Sequence, residues 1–243
     1  PSFLLARNLT CRVDSVVTTL HTMPLALITG AARSNGLAAA TASVLANAGW
    51  MVATSDLTET AFDADLSLAH EPDRLVAAVG AEYGLIDALI LSHAHDEESG
   101  VLDTTADSFD RHMAVNARAS LLLIAAFARQ IGPNGGSIVA LTSDHTTGNL
   151  PYGSSKGALD RLVISAAREL GPLGISANVL NPGPVDTGWM NEELRTAMLP
   201  SHPLGRLGEP ADIAEVVTFL VSPAGRWISG QLLHSDGGFS ARF

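Results

Sequence analysis

The segment Tyr152-Gly153-Ser154-Ser155-Lys156 sets a phenol and an ammonium four residues apart. The chain has two tyrosines and a single lysine, against thirteen arginines. On a helix, positions i and i+4 lie on one face. A neighbouring cation favours the phenolate and lowers the phenol pKa from its usual value of about 10. A phenol so tuned can exchange a proton with an alcohol or a carbonyl. Arginine cannot replace the lysine here, because its guanidinium does not titrate as a compact ammonium does. The competing reading, a surface pair on a helix, is weakened by Ser143, a hydroxyl at a strand end shortly before Tyr152.

A second constellation lies near the start. Thr29-Gly30-Ala31-Ala32-Arg33-Ser34-Asn35-Gly36 follows an apolar run and precedes a helical stretch. Gly30 permits a tight turn, and Gly36 lets the helix start approach a pyrophosphate, whose charge suits a helix N-terminus. Asp56 ends the next apolar run, where a carboxylate can accept hydrogen bonds from a ribose. Taken singly, the turn also fits simple packing, and Asp56 also fits a helix cap or a turn.

These residues need a scaffold, and the hydrophobic pattern supplies one. Aliphatic runs at 25–28, 51–54, 86–91, 137–141, 175–180 and 231–234 alternate with helical stretches at 36–48, 72–82, 106–131, 153–170 and 210–220. Continuously apolar strands separated by helices indicate a parallel sheet covered on both faces. The expected fold class is therefore α/β, a doubly wound Rossmann-type sandwich in a single domain over residues 23–243. Ligands of such sheets bind beyond the carboxyl ends of the strands. Thr29-Gly30, Asp56, Asp65, Ser92-His93, Thr142-Ser143 and Asn181-Pro182-Gly183 fall there. The stretches 106–131 and 153–170 are apolar almost all round, carrying Leu121, Leu122, Leu123, Ile124 and Phe127, and Leu159, Leu162, Val163, Ile164 and Leu170. Such helices bury a second face, so self-association is expected.

Composition bounds the partners. The 243 residues carry a net charge of −11, with 47% hydrophobic and 16% charged residues. That acidity, without any basic cluster, excludes a nucleic-acid surface. No apolar run approaches the ~18 residues of a membrane span. The lone Cys11 cannot form an internal disulfide, so a cytoplasmic setting is expected. Residues 1–22 lack periodicity and precede Met23, and they read as an extension foreign to the domain, either added or translated from upstream, with a native arm as the lesser alternative.

Together these motifs resemble the classical short-chain dehydrogenase/reductases, from Met23 to the C-terminus. The resemblance also rests on Asn116 within His112-Met113-Ala114-Val115-Asn116, on Asn178-Val179-Leu180-Asn181-Pro182-Gly183, on Pro203-Leu204-Gly205-Arg206-Leu207-Gly208-Glu209-Pro210 and on Asp236-Gly237-Gly238. It implies that Tyr152 is the general acid/base. Lys156 would lower its pKa and bind the nicotinamide ribose, Ser143 would orient the substrate oxygen, and Asn116 would hold a relay water. The cofactor would lie along Gly30, Arg33, Ser34, Asn35, Gly36, Asp56, Asp65, Leu66, Ser92, Ala94, Pro182, Gly183, Val185 and Thr187. The implied reaction is hydride transfer between NAD(P)H and a small carbonyl or alcohol, in a homotetramer with no catalytic metal.

Three positions depart from the family pattern. Ser34 replaces a turn glycine. Ser92-His93-Ala94-His95 replaces Asn-Asn-Ala-Gly, which puts the strand clamp in question. The loop 144–151 is shorter, bringing His145, Thr146 and Asn149 near the substrate mouth. His93 and His95 are assigned to lining the substrate pocket or to hydrogen bonding a neighbouring backbone, since no further metal ligands accompany them. Trp189, Met190 and Met198 fall where the family carries a substrate lid, with packing as the equal alternative. Asp56 should repel a 2′-phosphate and favour NAD, whereas Arg33 leaves NADP open. The leading reading is a secondary-alcohol dehydrogenase or ketone reductase. The alternatives are a 3-oxoacyl thioester reductase acting on an acyl-carrier protein, and a dinucleotide-binding sensor without turnover. A lyase on this scaffold is disfavoured by Lys156.

Overall fold

The computed structural model describes residues 23–188 and 190–241. The N-terminal extension with Cys11, and the side chain of Trp189, lie outside the described residues. Seven parallel strands form one sheet: β1 (Leu25–Thr29), β2 (Met51–Asp56), β3 (Phe62–Asp63), β4 (Ala88–Leu91), β5 (Gly136–Leu141), β6 (Ile175–Asn181) and β7 (Leu232–His234), in the order β3-β2-β1-β4-β5-β6-β7. Strands β1, β4, β5 and β6 are buried along their whole length, as continuous apolar runs demand of strands covered on both faces.

Seven α-helices accompany the sheet among the described residues: α1 (Leu37–Asn47), α2 (Glu71–Tyr83), α3 (Ala106–His112), α4 (Ala119–Gln130), α5 (Leu150–Leu170), α6 (Glu192–Met198) and α7 (Pro210–Val221). Two cores result. Leu27, Leu89, Phe127, Leu159 and Val163 pack on one face of the sheet, and Ile28, Ile90, Leu45, Val217 and Leu220 on the other. This is a Rossmann-like single domain.

The long helical stretch is not uniform. Between α3 and α4, Met113–Arg118 forms a π-helical turn that includes Asn116. Turns of this kind insert an extra residue and are frequent at functional sites. The short β3 and helix α6 also go beyond the expected elements, because a two-residue strand and a seven-residue helix leave almost no periodicity to read.

Strand order reverses between β1 and β4, which opens a crevice at their carboxyl ends. There the backbones nearly touch. Gly30 has φ +77°, and a Cβ on it would lie 2.6 Å from both Cα and N of His93. No L side chain fits that position, so the first turn requires glycine. Leu121 stays 46% exposed on α4 and, with Leu162 of α5, lines an apolar groove of about 810 Å³. The all-round apolar character of the two helices is thus only partly used within one chain.

Candidate active site

A cleft of about 480 Å³ runs along the carboxyl ends of the strands. Gly30, Arg33 and Gly36 of the first turn line one end, Asp56, Asp65 and Leu66 one side, and Ser92, Ala94, His95, Tyr152 and Thr187 the other end. Helix α1 opens onto this cleft at Gly36 with no side-chain cap and no acidic residue in its first turn. Its free N–H groups and dipole make an anion site. Asp56 Oδ2 accepts from Ala32 N at 2.9 Å and Oδ1 from Leu57 N at 2.7 Å, which fixes the carboxylate beside the turn. Asp65 Oδ1 accepts from Ser67 N at 2.9 Å; the Ser67 side chain, and then this backbone bond, hold its carboxyl below the usual range.

Ser34 and Asn35 are exposed on the turn, and Asn35 Nδ2 lies against Gly188, so the turn meets the loop after β6. On that loop Gly183 N donates to Asn181 Oδ1, Val185 pairs with Gly208, and Pro182 is half-buried. Of this loop, Thr187 reaches the cleft.

The substituted clamp is rebuilt by different residues. Asn116 is fully buried; its Oδ1 accepts from His95 N at 2.7 Å, and its Nδ2 donates to His95 O at 2.9 Å and to Ser155 Oγ at 2.8 Å. Both amide hydrogens are therefore engaged. The Asn116 backbone carbonyl accepts from Ser120 Oγ at 2.8 Å.

His93 lines the cleft, as expected, and is also tied into the fold. Its Nδ1 lies 2.7 Å from Thr29 Oγ1, and its Nε2 lies 3.1 Å from Val115 O and 3.3 Å from Ser120 Oγ. These contacts fit one neutral tautomer, with Thr29 donating to Nδ1 and Nε2–H donating to Val115. Burial, reinforced by the Lys156 charge, lowers its pKa to about 3. A cation cannot form there at neutral pH, and the imidazole ties β1 and β4 to the π turn. His95 also lines the cleft. Its ring lies 4.5 Å from that of His112, and its Nε2 is 3.8 Å from Glu97 Oε2, too long for a hydrogen bond. Burial and then the His112 charge lower its pKa.

Lys156 is 2% exposed, and its Nζ donates to Leu141 O at 2.9 Å. Nζ stands 5.7 Å from the centre of the Tyr152 ring. Burial lowers the Lys156 pKa to about 8. The expected lowering of the Tyr152 pKa is not met by the chain's own groups. Burial raises it well above 10, and the Asp96 charge adds to the rise. The phenol is thus a protonated donor at neutral pH. Ser143 Oγ accepts from His145 N at 3.1 Å, which leaves the hydroxyl hydrogen free to donate.

The shortened loop packs tightly on α5. A Cβ on Gly153 would lie 2.3 Å from Thr146 Cγ2 and 2.6 Å from His145 O. The His145 side chain is exposed and does not line the cleft. Asn149 is buried and reaches the cleft only through Asp96, to whose Oδ1 its Nδ2 donates at 2.7 Å. Met190 is buried away from the cleft, its carbonyl accepting from Arg195 Nε. Sequence reasoning missed Asp96 and Arg111, which both line the cleft. Asp96 was reachable by following the β4 end five residues further; nothing local distinguishes Arg111.

Comparison with known proteins gives a consistent picture. A family model described as "Enoyl-(Acyl carrier protein) reductase" matches residues 30–240. The chain is 35% identical over 241 residues to "Uncharacterized oxidoreductase YjdA" of Bacillus subtilis, covering 88% of this chain and 96% of that protein. It is 32% identical over 185 residues to human "Dehydrogenase/reductase SDR family member 4", covering 72% of this chain and 66% of that one. Among solved structures, a short-chain dehydrogenase/reductase from Serratia marcescens matches with TM-score 0.82 and 29% identity, over 90% of this chain and 98% of that one. A blue fluorescent protein from a metagenomic library, in complex with NADPH, matches with TM-score 0.81 and 29% identity over the same shares.

The buried lysine makes a stability prediction. Between pH 8 and 10.5 the unfolded chain holds the Lys156 proton and the folded chain has lost it, so stability rises with pH. Each pH unit spent inside that window is worth ~1.4 kcal/mol. Urea titrations of the cofactor-free protein should therefore show wild type gaining about 1–3 kcal/mol relative to Lys156→Met between about pH 7.5 and 10. A flat or falling difference would contradict the buried position.

Proposed function

The chain belongs to the short-chain dehydrogenase/reductase family and is an oxidoreductase; from that premise we propose that it interconverts a ketone and a secondary alcohol with Tyr152 as the proton-transfer group. The supporting observation is the single cleft that joins the glycine turn and Asp56 to Tyr152. The residues present fit a nicotinamide dinucleotide. The uncapped start of α1 suits the pyrophosphate, and the fixed Asp56 carboxylate suits the adenosine ribose. When bound, that cofactor supplies or accepts the hydride. The NADPH in the metagenomic relative supports this class of cofactor. Asp56 carries the preference for NAD, and the exposed Arg33 leaves room for NADP.

The chain's own groups then have distinct tasks. Ser143 donates its free hydroxyl hydrogen to the substrate oxygen and orients it. Tyr152, protonated by burial, gives its proton to that oxygen as the carbonyl is reduced, and takes one back in the reverse direction. Lys156 stabilises the resulting phenolate from the buried side. Asn116 keeps the start of α5 in place through Ser155. The family model's description names an acyl-carrier protein, but a net charge of −11 disfavours docking an acidic carrier.

Tyr152→Phe should lose about 10²–10⁴-fold in kcat, the usual share of a general acid, while NADH fluorescence titration shows undiminished binding. A loss below tenfold on a panel of ketones and secondary alcohols would overturn the assignment. Higher kcat/KM with NADPH than with NADH in wild type would reverse the cofactor preference.

The apolar groove between α4 and α5, with Leu121 and Leu162, supports a homotetramer with closed symmetry. Light scattering should give a tetramer mass at micromolar concentration; a stable monomer would contradict this assembly.

A further inference from the structure

Asp96 stands at the catalytic end of the cleft, beside His95 and Tyr152. It is exposed, and its Oδ1 accepts from Asn149 Nδ2 at 2.7 Å. No hydrogen bond reaches its Oδ2 among the described residues. Asn149 is 2% exposed, and its own Oδ1 has no partner among the described residues. Burying an amide with its carbonyl unsatisfied is costly. A single bond to an exposed carboxylate returns little stability. The pair therefore makes poor sense as a device for stability, and good sense as a device for aiming.

The surrounding charges leave Asp96 free to meet a ligand. Lys156 Nζ is spent on Leu141 O. Arg111 lies in the same cleft but acts on Asp65 and His95. Glu97 adds a second negative charge near His95. Asp96 and Glu97 thus put two carboxylates at the Tyr152 end of the cleft, and Asp96 Oδ2 is ready to accept a hydrogen bond.

We propose that Asp96, aimed by Asn149, is a specificity-determining residue that selects carbonyl substrates bearing a hydroxyl or ammonium group on the carbon next to the carbonyl, and rejects those in which that carbon is itself a carboxylate. The free Oδ2 accepts the O–H or N–H of that group while Ser143 and Tyr152 hold the carbonyl oxygen. An ammonium gains most, because a charge-assisted bond is about twice as strong as a neutral one. This inference rests on the reductase reading given above.

The test compares kcat/KM for 1-aminopropan-2-one, 1-hydroxypropan-2-one, butan-2-one and pyruvate, in wild type, Asp96→Asn and Asn149→Ala. Wild type should prefer the amino and hydroxy ketones over butan-2-one, and use pyruvate worst. In Asp96→Asn the amino-to-butanone ratio should fall by about tenfold or more, the fold-change expected for losing a hydrogen bond to a charged group. The hydroxy ketone should lose less, since a neutral amide oxygen still accepts, and pyruvate should gain relative to butan-2-one. Asn149→Ala should shift the same ratios in the same direction by a smaller factor, which reads the aiming role separately. Asp96 is exposed and Asn is its near-isostere, and NADH binding checks that each variant is folded. Unchanged ratios in both variants, or pyruvate as the best wild-type substrate, overturn the inference alone. Failure of wild type to reduce any of the four with cofactor bound overturns the reductase reading and this inference with it.

Discussion

The site hangs on the side-chain amide of Asn116. The chain leaving β4 must turn away from the sheet, and its buried backbone groups need partners that no strand can offer. Asn116 supplies them in one place, accepting from His95 N and donating to His95 O. Its remaining hydrogen goes to Ser155 Oγ, which in turn donates to Tyr152 O at 2.7 Å. Three elements are thereby pinned together: the strand end, the π turn and the first turn of α5. Losing the amide would leave several buried polar groups unpaired, each costing roughly 1–3 kcal/mol. The phenol of Tyr152 inherits its position from this chain of bonds.

Around that clamp, burial decides which groups carry charge. Lys156 and His93 lie close enough for the ammonium to depress the imidazole, and both are buried. Two buried cations would repel, so one of them must stay neutral. The hydrogen bonds from Thr29 and to Val115 suit the neutral imidazole, and the ammonium keeps its charge at neutral pH with Leu141 O as partner. Asp96 and Asp160 both favour that charge. The arrangement concentrates one positive charge behind Tyr152 and one negative charge in front of it.

Much of this was legible in the sequence, for physical reasons that differ from residue to residue. Strands β1, β4, β5 and β6 announce themselves because strands buried on both faces are apolar throughout. Tyr152, Lys156, Ser143 and Asp56 stood out because their types and spacing are rare outside proton and ribose chemistry. The partners that hold His93 are not legible locally, because Thr29, Val115 and Ser120 are distant from it in sequence. The tuning of Tyr152 was read from one neighbour, whereas burial, a property of the whole fold, dominates its pKa. The π turn was hidden because one extra residue barely perturbs a helical pattern. Asn149 was placed near the substrate by loop length alone, and only the fold shows that it acts through Asp96.

The central claim is that the cleft brings a hydride donor and the Tyr152 proton to opposite ends of one carbonyl bond. The direct measurement is isotope tracing: the protein is incubated with NADH deuterated at the nicotinamide 4-position and 1-hydroxypropan-2-one, and the alcohol is examined by NMR. Deuterium from one face of the nicotinamide should appear on the carbinol carbon of the product, with the hydroxyl proton drawn from solvent. Alcohol formed without deuterium on that carbon, or oxidation of the cofactor without any alcohol, would contradict the account.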